Sequence, residues 1–354
     1  MPLPGGRQYD YKLVEAIREK SHVVDFEGMP EEIRAIPDDD REHVLDPRVL
    51  EMTRGKMSGK IKSGWAGGIL DQRMNLKETH FIQDGEVEKQ NLIADFGDRG
   101  IPTTVLTPKG GAEVKPVLAF LHGGGFEKGW FGVYEACCTA IACWADCVVV
   151  FPEVRLAPEA RCPAQLDDSE ACINWIKANA AELGVDAGRI AIMGDSAGGS
   201  LVNGAVQRCR EDVKLAIEAY PAVDIVGVPD WWGYELYPVV EDQHEEMLNR
   251  VNNIKAWIGN TSYSGPDTSC YADPEVSAMY LDDPSFFPRT VVVCSEYDYL
   301  RAQDERFAKK LFDAGVDVRL VRYAGMEHGF LELTGVYPQA EDLCMLVAEE
   351  IRKL

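Results

Sequence analysis

The chain has 354 residues, of which 46% are hydrophobic and 27% are charged, a composition that excludes wholesale disorder. Its 36 Lys and Arg residues against 59 Asp and Glu residues give a net charge of −23, which repels nucleic-acid phosphates and anionic membrane surfaces. We therefore expect no nucleic-acid partner.

The sequence shows neither a targeting signal nor a membrane-spanning segment. Residues Met1 to Asp10 lack the basic start and apolar run of a signal peptide, and no stretch approaches the roughly 18 apolar residues that cross a bilayer. These features predict a soluble cytoplasmic protein. The ten cysteines fit that prediction as reduced, mainly buried thiols, and without Cys-x-x-Cys spacing in their densest stretch we expect no metal site.

The N-terminal part of the chain differs in pattern from the remainder. Residues 1–75 are charged and helical in pattern, with Tyr11–Glu19 as the clearest amphipathic piece. Two segments that follow, Glu78–Gln83 and Thr103–Pro108, are predicted to form antiparallel edge strands.

From Pro116 onward, short β-branched runs alternate with longer helical patterns. The predicted strands are Val117–Leu121, Cys147–Phe151, Arg189–Met193, Lys214–Ala219, Thr290–Ser295 and Asp317–Arg322. The predicted helices are Tyr134–Ala145, Pro163–Leu183, Ser196–Arg210, Arg301–Ala314 and Gln339–Lys353. This alternation predicts an α/β fold with a mainly parallel central sheet flanked by helices.

A triple-glycine loop, His122-Gly123-Gly124-Gly125, directly follows the first of these strands. Consecutive glycines leave backbone N–H groups unshielded, so they can donate hydrogen bonds to a substrate oxygen. The loop lacks the Gly-Lys-Ser/Thr ending of a phosphate-binding P-loop and the Gly-x-Gly-x-x-Gly spacing of a dinucleotide fold. We interpret it as half of an oxyanion hole.

Gly194-Asp195-Ser196-Ala197-Gly198 has the Gly-x-Ser-x-Gly pattern of a nucleophile elbow. The elbow is a sharp turn from strand to helix, and glycines two positions away on each side avoid a steric clash. A predicted strand precedes the motif and a predicted helix follows it, so Ser196 is the candidate nucleophile. The backbone N–H of Ala197, next in the chain, is a second oxyanion donor.

Residues 224–285 interrupt the alternation with aromatic, proline and turn residues. Such a segment suits a lid over an active site. Trp231, Trp232 and Tyr234, with Tyr237 close by, form an aromatic wall for the substrate in one interpretation. In the other, which we favour for most of them, they pack within the lid itself.

A serine nucleophile requires a base and an orienting acid. His328, in the glycine-flanked loop after the last predicted strand, is the best placed of the six histidines, because loops at the carboxyl ends of parallel strands carry the chemistry of α/β enzymes. The acid is expected between serine and histidine in the chain. Glu296 and Asp298 both fit there, and their residue chemistry alone does not choose between them.

Taken together, the glycine loop, Arg155-Leu156-Ala157-Pro158-Glu159, the nucleophile motif and the acid and histidine segments resemble the hormone-sensitive-lipase-like family of α/β-hydrolase carboxylesterases. The likeness covers about residues 116–332. It implies Asp298 as the acid and Gly124 and Gly125 as the oxyanion donors. It also implies a helical cap, made of residues 1–75 and the inserted segment 224–285, over a catalytic domain of residues 76–354.

The resemblance implies hydrolysis of short- to medium-chain carboxylic esters through an acyl-enzyme, with a small-molecule ester as substrate and no cofactor. An amidase or lactonase that uses the same triad, and a non-catalytic small-molecule receptor, stay open as alternatives. Because exposed final strands in this fold often pair between chains, a homodimer is also among the expectations.

Overall fold

The computed structural model describes residues 6–61, 68–73, 80–83, 85–258 and 261–354. Within these residues the strands, in chain order, are β1 (His22–Phe26), β2 (Met29–Arg34), β3 (Val87–Asp95), β4 (Gly100–Pro108), β5 (Lys115–Leu121), β6 (Val148–Pro152), β7 (Val185–Asp195), β8 (Val213–Ala219), β9 (Arg289–Tyr297) and β10 (Val318–Glu327). They form one sheet in the order β1-β2-β10-β9-β8-β7-β5-β6-β4-β3.

The helices among the described residues include α1 (Lys12–Glu19), α2 (Pro47–Met57), α3 (Ile69–Arg73), α4 (Phe131–Ala145), α5 (Ala164–Ala178), α6 (Ala180–Leu183), α7 (Ala197–Arg208), α8 (His244–Ile258), α9 (Arg301–Asp313) and α10 (Pro338–Ile351). Single 3-10 turns lie at Tyr234–Leu236, Glu241–Gln243, Ser269–Ala272, Ala278–Tyr280 and Phe330–Leu333. Helix α7 packs on β7 and α9 on β9, while α10 packs against α4 and α1.

The parallel centre of the sheet confirms the predicted α/β fold. Strands β2, β10, β9, β8, β7, β5 and β6 pair in parallel, each with the next. Every residue of β5 and β6 is buried, which explains why these strands appear in the sequence as continuous hydrophobic runs. The carboxyl ends of β5, β7, β9 and β10 therefore meet at one edge of the sheet.

The strands that precede the parallel run differ from expectation. Thr103–Pro108 does lie in β4, but β4 is interior, between β6 and the edge strand β3. Most side chains of β3 are exposed and polar, so the sequence lacked a strand signal there. Residues 80–83 form no strand, and positions 78–79 of the predicted Glu78–Gln83 strand lie outside the described residues.

A helical pattern for residues 1–75 is correct only for α1, α2 and α3, because β1 and β2 form a hairpin that extends the sheet. Glu27 and Gly28 both have positive φ, at 51° and 86°, as a tight hairpin turn requires. The charges that obscured β2 are cross-strand partners: Glu32 lies 2.7 Å from Arg319 of β10. This hairpin covers β10, so the final strand is not an edge of the sheet; the two edge strands are β1 and β3.

All ten cysteines are free thiols and seven of them are buried, in agreement with the predicted, mainly buried thiols. Among the helices that the structure describes, none combines the length and the apolar character that crossing a bilayer requires.

Glu218 of β8 is a carboxyl group buried in this core. Its Oε2 accepts a hydrogen bond from Asn203 Nδ2 at 2.9 Å, while Oε1 has no partner among the described residues. Burial raises the pKa of Glu218 from its ordinary 4.5 to about 8. The folded protein therefore keeps this proton at pH values where the unfolded chain has released it.

Because the unfolded chain releases this proton more readily, the contribution of Glu218 to the free energy of unfolding should decrease as pH rises from about 4.5 to about 8. The neutral variant Glu218→Gln should unfold at a temperature higher than wild type by at least about 2 °C at pH 8, and the difference should shrink at pH 5. Thermal unfolding across pH 5–8 measures this change, with the exposed Glu211→Gln as the control. If the two proteins differed in unfolding temperature by the same amount at pH 5 and pH 8, the pKa of Glu218 would not be raised in the folded protein.

Candidate active site

Ser196 lies at the sharp turn between β7 and α7. Its backbone has φ 54° and ψ −122°, a conformation that non-glycine residues rarely adopt. A Cβ atom on Gly198 would overlap the carbonyl oxygen of Leu121, and one on Gly194 would overlap the backbone of Gly198. The two flanking glycines therefore allow the close packing that holds Ser196 in this conformation, as expected for an elbow.

Three of the predicted site residues form a continuous hydrogen-bonded chain. His328 Nε2 lies 2.8 Å from Ser196 Oγ, and His328 Nδ1 lies 2.6 Å from Asp298 Oδ2. The Asp298 side chain is fully buried, and its Oδ1 accepts a hydrogen bond from the backbone N–H of Leu300 at 3.0 Å. The histidine thus has one nitrogen toward the serine and the other toward a fixed carboxylate.

The alternative acid, Glu296, has a different partner. Its Oε2 accepts a hydrogen bond from the backbone N–H of Gly325 at 2.7 Å, which connects the end of β9 to the last residues of β10, just before His328. Of the two acids that the sequence left open, the one in contact with the imidazole is Asp298.

The glycine loop lies beside Ser196 and is anchored by Asp195. The buried Asp195 carboxylate accepts hydrogen bonds from the backbone N–H of Gly123 at 2.8 Å and from the hydroxyl of Tyr134 at 3.1 Å. Burial raises the pKa of Asp195 to about 6. Within the described part of the chain, the N–H groups of Gly124, Gly125 and Ala197 donate no hydrogen bond, so they are available to a substrate oxygen.

Ser196 and His328 open onto a cavity of about 440 Å³. The described residues that line it come from α2, α3, α4 and α8, from the loops around Ser196 and His328, and from two N-terminal positions. They are Gln8, Met52, Lys56, Gln72, Arg73, His80, Gly124, Gly125, Lys128, Gly129, Trp130, Val133, Tyr134, Ser196, Arg250, Asn253, Ile254, Trp257, Glu327, His328, Gly329, Glu332, Leu333 and Val336.

Comparison with known proteins agrees with this geometry. A family model described as alpha/beta hydrolase fold matches residues 118–332. The carboxylesterase NlhH of Mycobacterium tuberculosis is 32% identical over 294 residues, which cover 78% of this chain and 86% of that protein. The chain belongs to the hormone-sensitive-lipase-like family of α/β hydrolases.

Two further likenesses extend over most of this α/β hydrolase. The ethyl acetate hydrolase of Pseudomonas putida is 26% identical over 314 residues, covering 84% of this chain and 94% of that protein. The solved structure of a hyperthermophilic esterase from the archaeon Pyrobaculum calidifontis superposes with a TM-score of 0.70 at 28% identity, covering 88% of this chain and 98% of that one.

The predicted aromatic wall is not part of the cavity. Trp231, Trp232 and Tyr234 are absent from the described residues that line it. Trp232 instead packs against Tyr237 and Tyr299, and the ammonium of Lys255 lies 4.1 Å from its ring centroid. Tyr234 donates a hydrogen bond to Asn252 Oδ1 at 2.5 Å, and the Arg306 guanidinium covers the Trp231 ring at 4.5 Å. The contacts with Tyr237, Lys255 and Asn252 lie within the lid segment, whereas Tyr299 and Arg306 lie outside it. These aromatic residues therefore pack both within the lid and against the catalytic domain.

Several side chains at the site were not identified from the sequence. Asp195 occupies a variable position of the elbow motif, and its role as an anchor depends on a loop 72 residues away in the chain. Lys56 of α2 and Arg250 of α8 reach the cavity from the N-terminal segment and from the inserted segment. No local pattern marks such residues, because they meet only when the two segments pack over the sheet.

The glycine loop offers a test of the oxyanion assignment. Gly124 has φ 107°, and an added Cβ would overlap the carbonyl oxygen of Lys128. Gly124→Ala is therefore expected to displace the donors and lower kcat for an ester by about 10²- to 10³-fold. Steady-state kinetics would show the loss. The exposed Gly97, also at positive φ, provides the matched control, because Gly97→Ala imposes similar backbone strain far from the cavity. A kcat within about threefold of wild type for Gly124→Ala would contradict the assignment.

Proposed function

We propose that this protein is a serine carboxylesterase that hydrolyses short- to medium-chain carboxylic esters through an acyl-enzyme. The observation that carries the proposal is the chain Ser196–His328–Asp298, with distances of 2.8 and 2.6 Å, beside available backbone donors. The names of the relatives, a carboxylesterase and an ethyl acetate hydrolase, support the same chemistry.

In the first half of the reaction, Ser196 Oγ attacks the ester carbonyl while His328 Nε2 takes its proton. Asp298 keeps the remaining imidazole proton on Nδ1, so that Nε2 faces the serine as a base. The negative charge that develops on the carbonyl oxygen is bound by the N–H groups of Gly124, Gly125 and Ala197. His328 then protonates the leaving alcohol, and the acyl group stays on Ser196.

In the second half, water replaces the alcohol. His328 takes a proton from the water molecule, whose oxygen attacks the acyl carbon, and it returns that proton to Ser196 Oγ as the acid leaves. The net reaction adds one water molecule across the ester bond. Every proton transfer in both halves of the reaction passes through His328.

We further propose that helices α2 and α3 and residues 224–285 form a cap over the catalytic domain of residues 76–354. The rest of the expected N-terminal cap segment, residues 1–75, includes the hairpin of β1 and β2, which belongs to the central sheet instead. Contacts between the two segments support this division: Arg54 Nε lies 2.5 Å from Glu246 Oε1, and the backbone N–H of Leu45 donates to Gln243 Oε1 at 2.7 Å. Residues of α2 and α8 both line the cavity, and its volume of about 440 Å³ suits acyl groups of short to medium length.

Homodimerisation and a cytoplasmic location remain predictions from the sequence.

The experiment is a panel of 4-nitrophenyl esters, from acetate to palmitate. We expect the highest kcat/KM between acetate and octanoate and a steep fall beyond. Treatment with diethyl 4-nitrophenyl phosphate should release one equivalent of nitrophenolate and leave a diethylphosphoryl group on the peptide that contains Ser196, which mass spectrometry detects. Absence of ester turnover together with tight binding of a small ligand would instead favour a receptor.

A further inference from the structure

The cavity beside Ser196 is rich in positive charge, although the chain as a whole carries −23. Four cationic side chains, those of Lys56, Arg73, Lys128 and Arg250, are among the described residues that line it, against the two carboxylates Glu327 and Glu332. Esters with purely aliphatic groups have no charged group that could pair with these cations. For each of these cations, the question is whether its partner belongs to the protein or to the substrate.

Two of the cations already have strong partners within the protein. Arg250 Nη1 lies 2.5 Å from Glu327 Oε2, and both side chains are buried. Arg73 forms two hydrogen bonds to Glu159, each 2.8 Å long, and also donates to the carbonyl oxygens of Glu127 and Ala157. These contacts attach α8 and α3 to the catalytic domain, so a structural role is sufficient to account for both arginines.

Lys56 differs from these arginines. Its ammonium group has no hydrogen-bond or ion-pair partner among the described residues, although the side chain is half-buried at the last turn of α2 and lines the cavity. Arg250 and Glu327 line the same cavity. Burial lowers the pKa of Lys56, with Glu327 opposing that shift and Arg250 adding to it. Glu327 directly precedes His328. The ammonium of Lys56 therefore lines the same cavity as Ser196 and His328.

We propose that the preferred substrates are esters that carry a carboxylate, and that Lys56 binds this carboxylate. The inference rests on the proposed esterase function and names its substrate class. A carboxylate would supply the acceptors that the Lys56 ammonium lacks, and a charge-assisted hydrogen bond in a partly desolvated cavity is stronger than one in water. The carboxylate belongs to either the acid or the alcohol part of the ester, and the two sources require separate substrates.

The experiment compares each anionic ester with its neutral methyl ester. Mono-4-nitrophenyl glutarate carries the charge on the acid side, and 3-carboxyphenyl acetate carries it on the alcohol side. After subtraction of spontaneous hydrolysis, wild type is expected to show a kcat/KM about tenfold higher for the charged member of at least one pair, through a lower KM. This preference should decrease as NaCl is raised, because salt screens the attraction.

Substitutions of Lys56 test whether this residue is responsible. Lys56→Gln should lower the charged-to-neutral ratio of kcat/KM by about tenfold, and Lys56→Arg should retain most of it. The exposed Lys60, one turn further along the chain, provides the matched control, and Lys60→Gln should leave the ratio unchanged. Thermal unfolding of each variant verifies that the cap is intact.

The outcomes separate this inference from the proposed function. Absence of turnover of every ester by wild type would contradict the esterase function itself. Turnover of the neutral esters with no preference for the charged member of either pair would overturn only the substrate class. A preference that persists in Lys56→Gln would overturn the assignment of Lys56.

Discussion

Replacing Ser196 with alanine is expected to lower kcat for 4-nitrophenyl butyrate by about 10⁵- to 10⁶-fold. The reason is that His328 Nε2, 2.8 Å from Ser196 Oγ, would have no nucleophile to deprotonate. The oxyanion donors and the cavity would remain, so a residual rate of about 10³-fold over water is expected. Active-site titration of the wild type, followed by steady-state rates of both proteins, measures the ratio.

A second substitution at the same position separates catalysis from folding. Because Ser196 has φ 54°, Ser196→Gly should relieve backbone strain of about 1 kcal/mol or more and raise the unfolding temperature, while losing activity as completely as Ser196→Ala. The exposed Ser285→Ala is the control for loss of a hydroxyl. If Ser196→Ala kept more than about one per cent of wild-type kcat, another nucleophile would have to be present.

The sequence was most informative where local pattern and burial coincide. Strands β5 and β6 are buried on both faces, so their apolar runs predicted them directly. The elbow and the glycine loop were identified for a related reason, since each requires glycine where an added Cβ would overlap backbone atoms. Steric constraints of this kind are visible in the sequence, because they require glycines at fixed spacing within a few residues.

Features that depend on distant contacts were not predictable in this way. The charged strand β2 resembled a solvent-exposed helical segment because its ion-pair partner Arg319 lies 287 residues away. Lys56, Arg250 and Glu327 line one cavity only after the N-terminal segment, the inserted segment and the end of β10 have packed together. Trp232 could have lined a pocket or packed against its neighbours, and its contacts with Tyr237 in the insert and Tyr299 outside it distinguish the two.

The choice between Glu296 and Asp298 is the clearest example. The two positions have the same strand parity, so the pattern along β9 cannot separate them. The chain turns after Tyr297, the last residue of β9, and the Asp298 carbonyl accepts a hydrogen bond from the backbone N–H of Arg301 at the start of α9. Asp298 therefore lies beyond the strand and reaches the imidazole, while Glu296 is still within it and bonds to Gly325.

Asp298→Asn is accordingly expected to lower kcat by about 10⁴-fold. An asparagine that offers its amide group to Nδ1 would leave the imidazole proton on Nε2, where it faces Ser196 and cannot act as a base. Glu296→Gln should stay within about threefold of wild type, because its amide oxygen still accepts from the Gly325 N–H, as a neutral hydrogen bond of about 1 kcal/mol. Initial rates of both variants from pH 6 to 10 provide the comparison.

The pH profile distinguishes the catalytic role of Asp298 from a merely structural one. A variant with the wrong tautomer should recover part of its rate at high pH, where the imidazole or the serine loses its proton to hydroxide, whereas a misfolded site should not. The opposite pattern, a nearly normal Asp298→Asn and a collapsed Glu296→Gln, would assign the orienting role to Glu296. In that case the 2.6 Å contact between Asp298 and His328 would have no catalytic function.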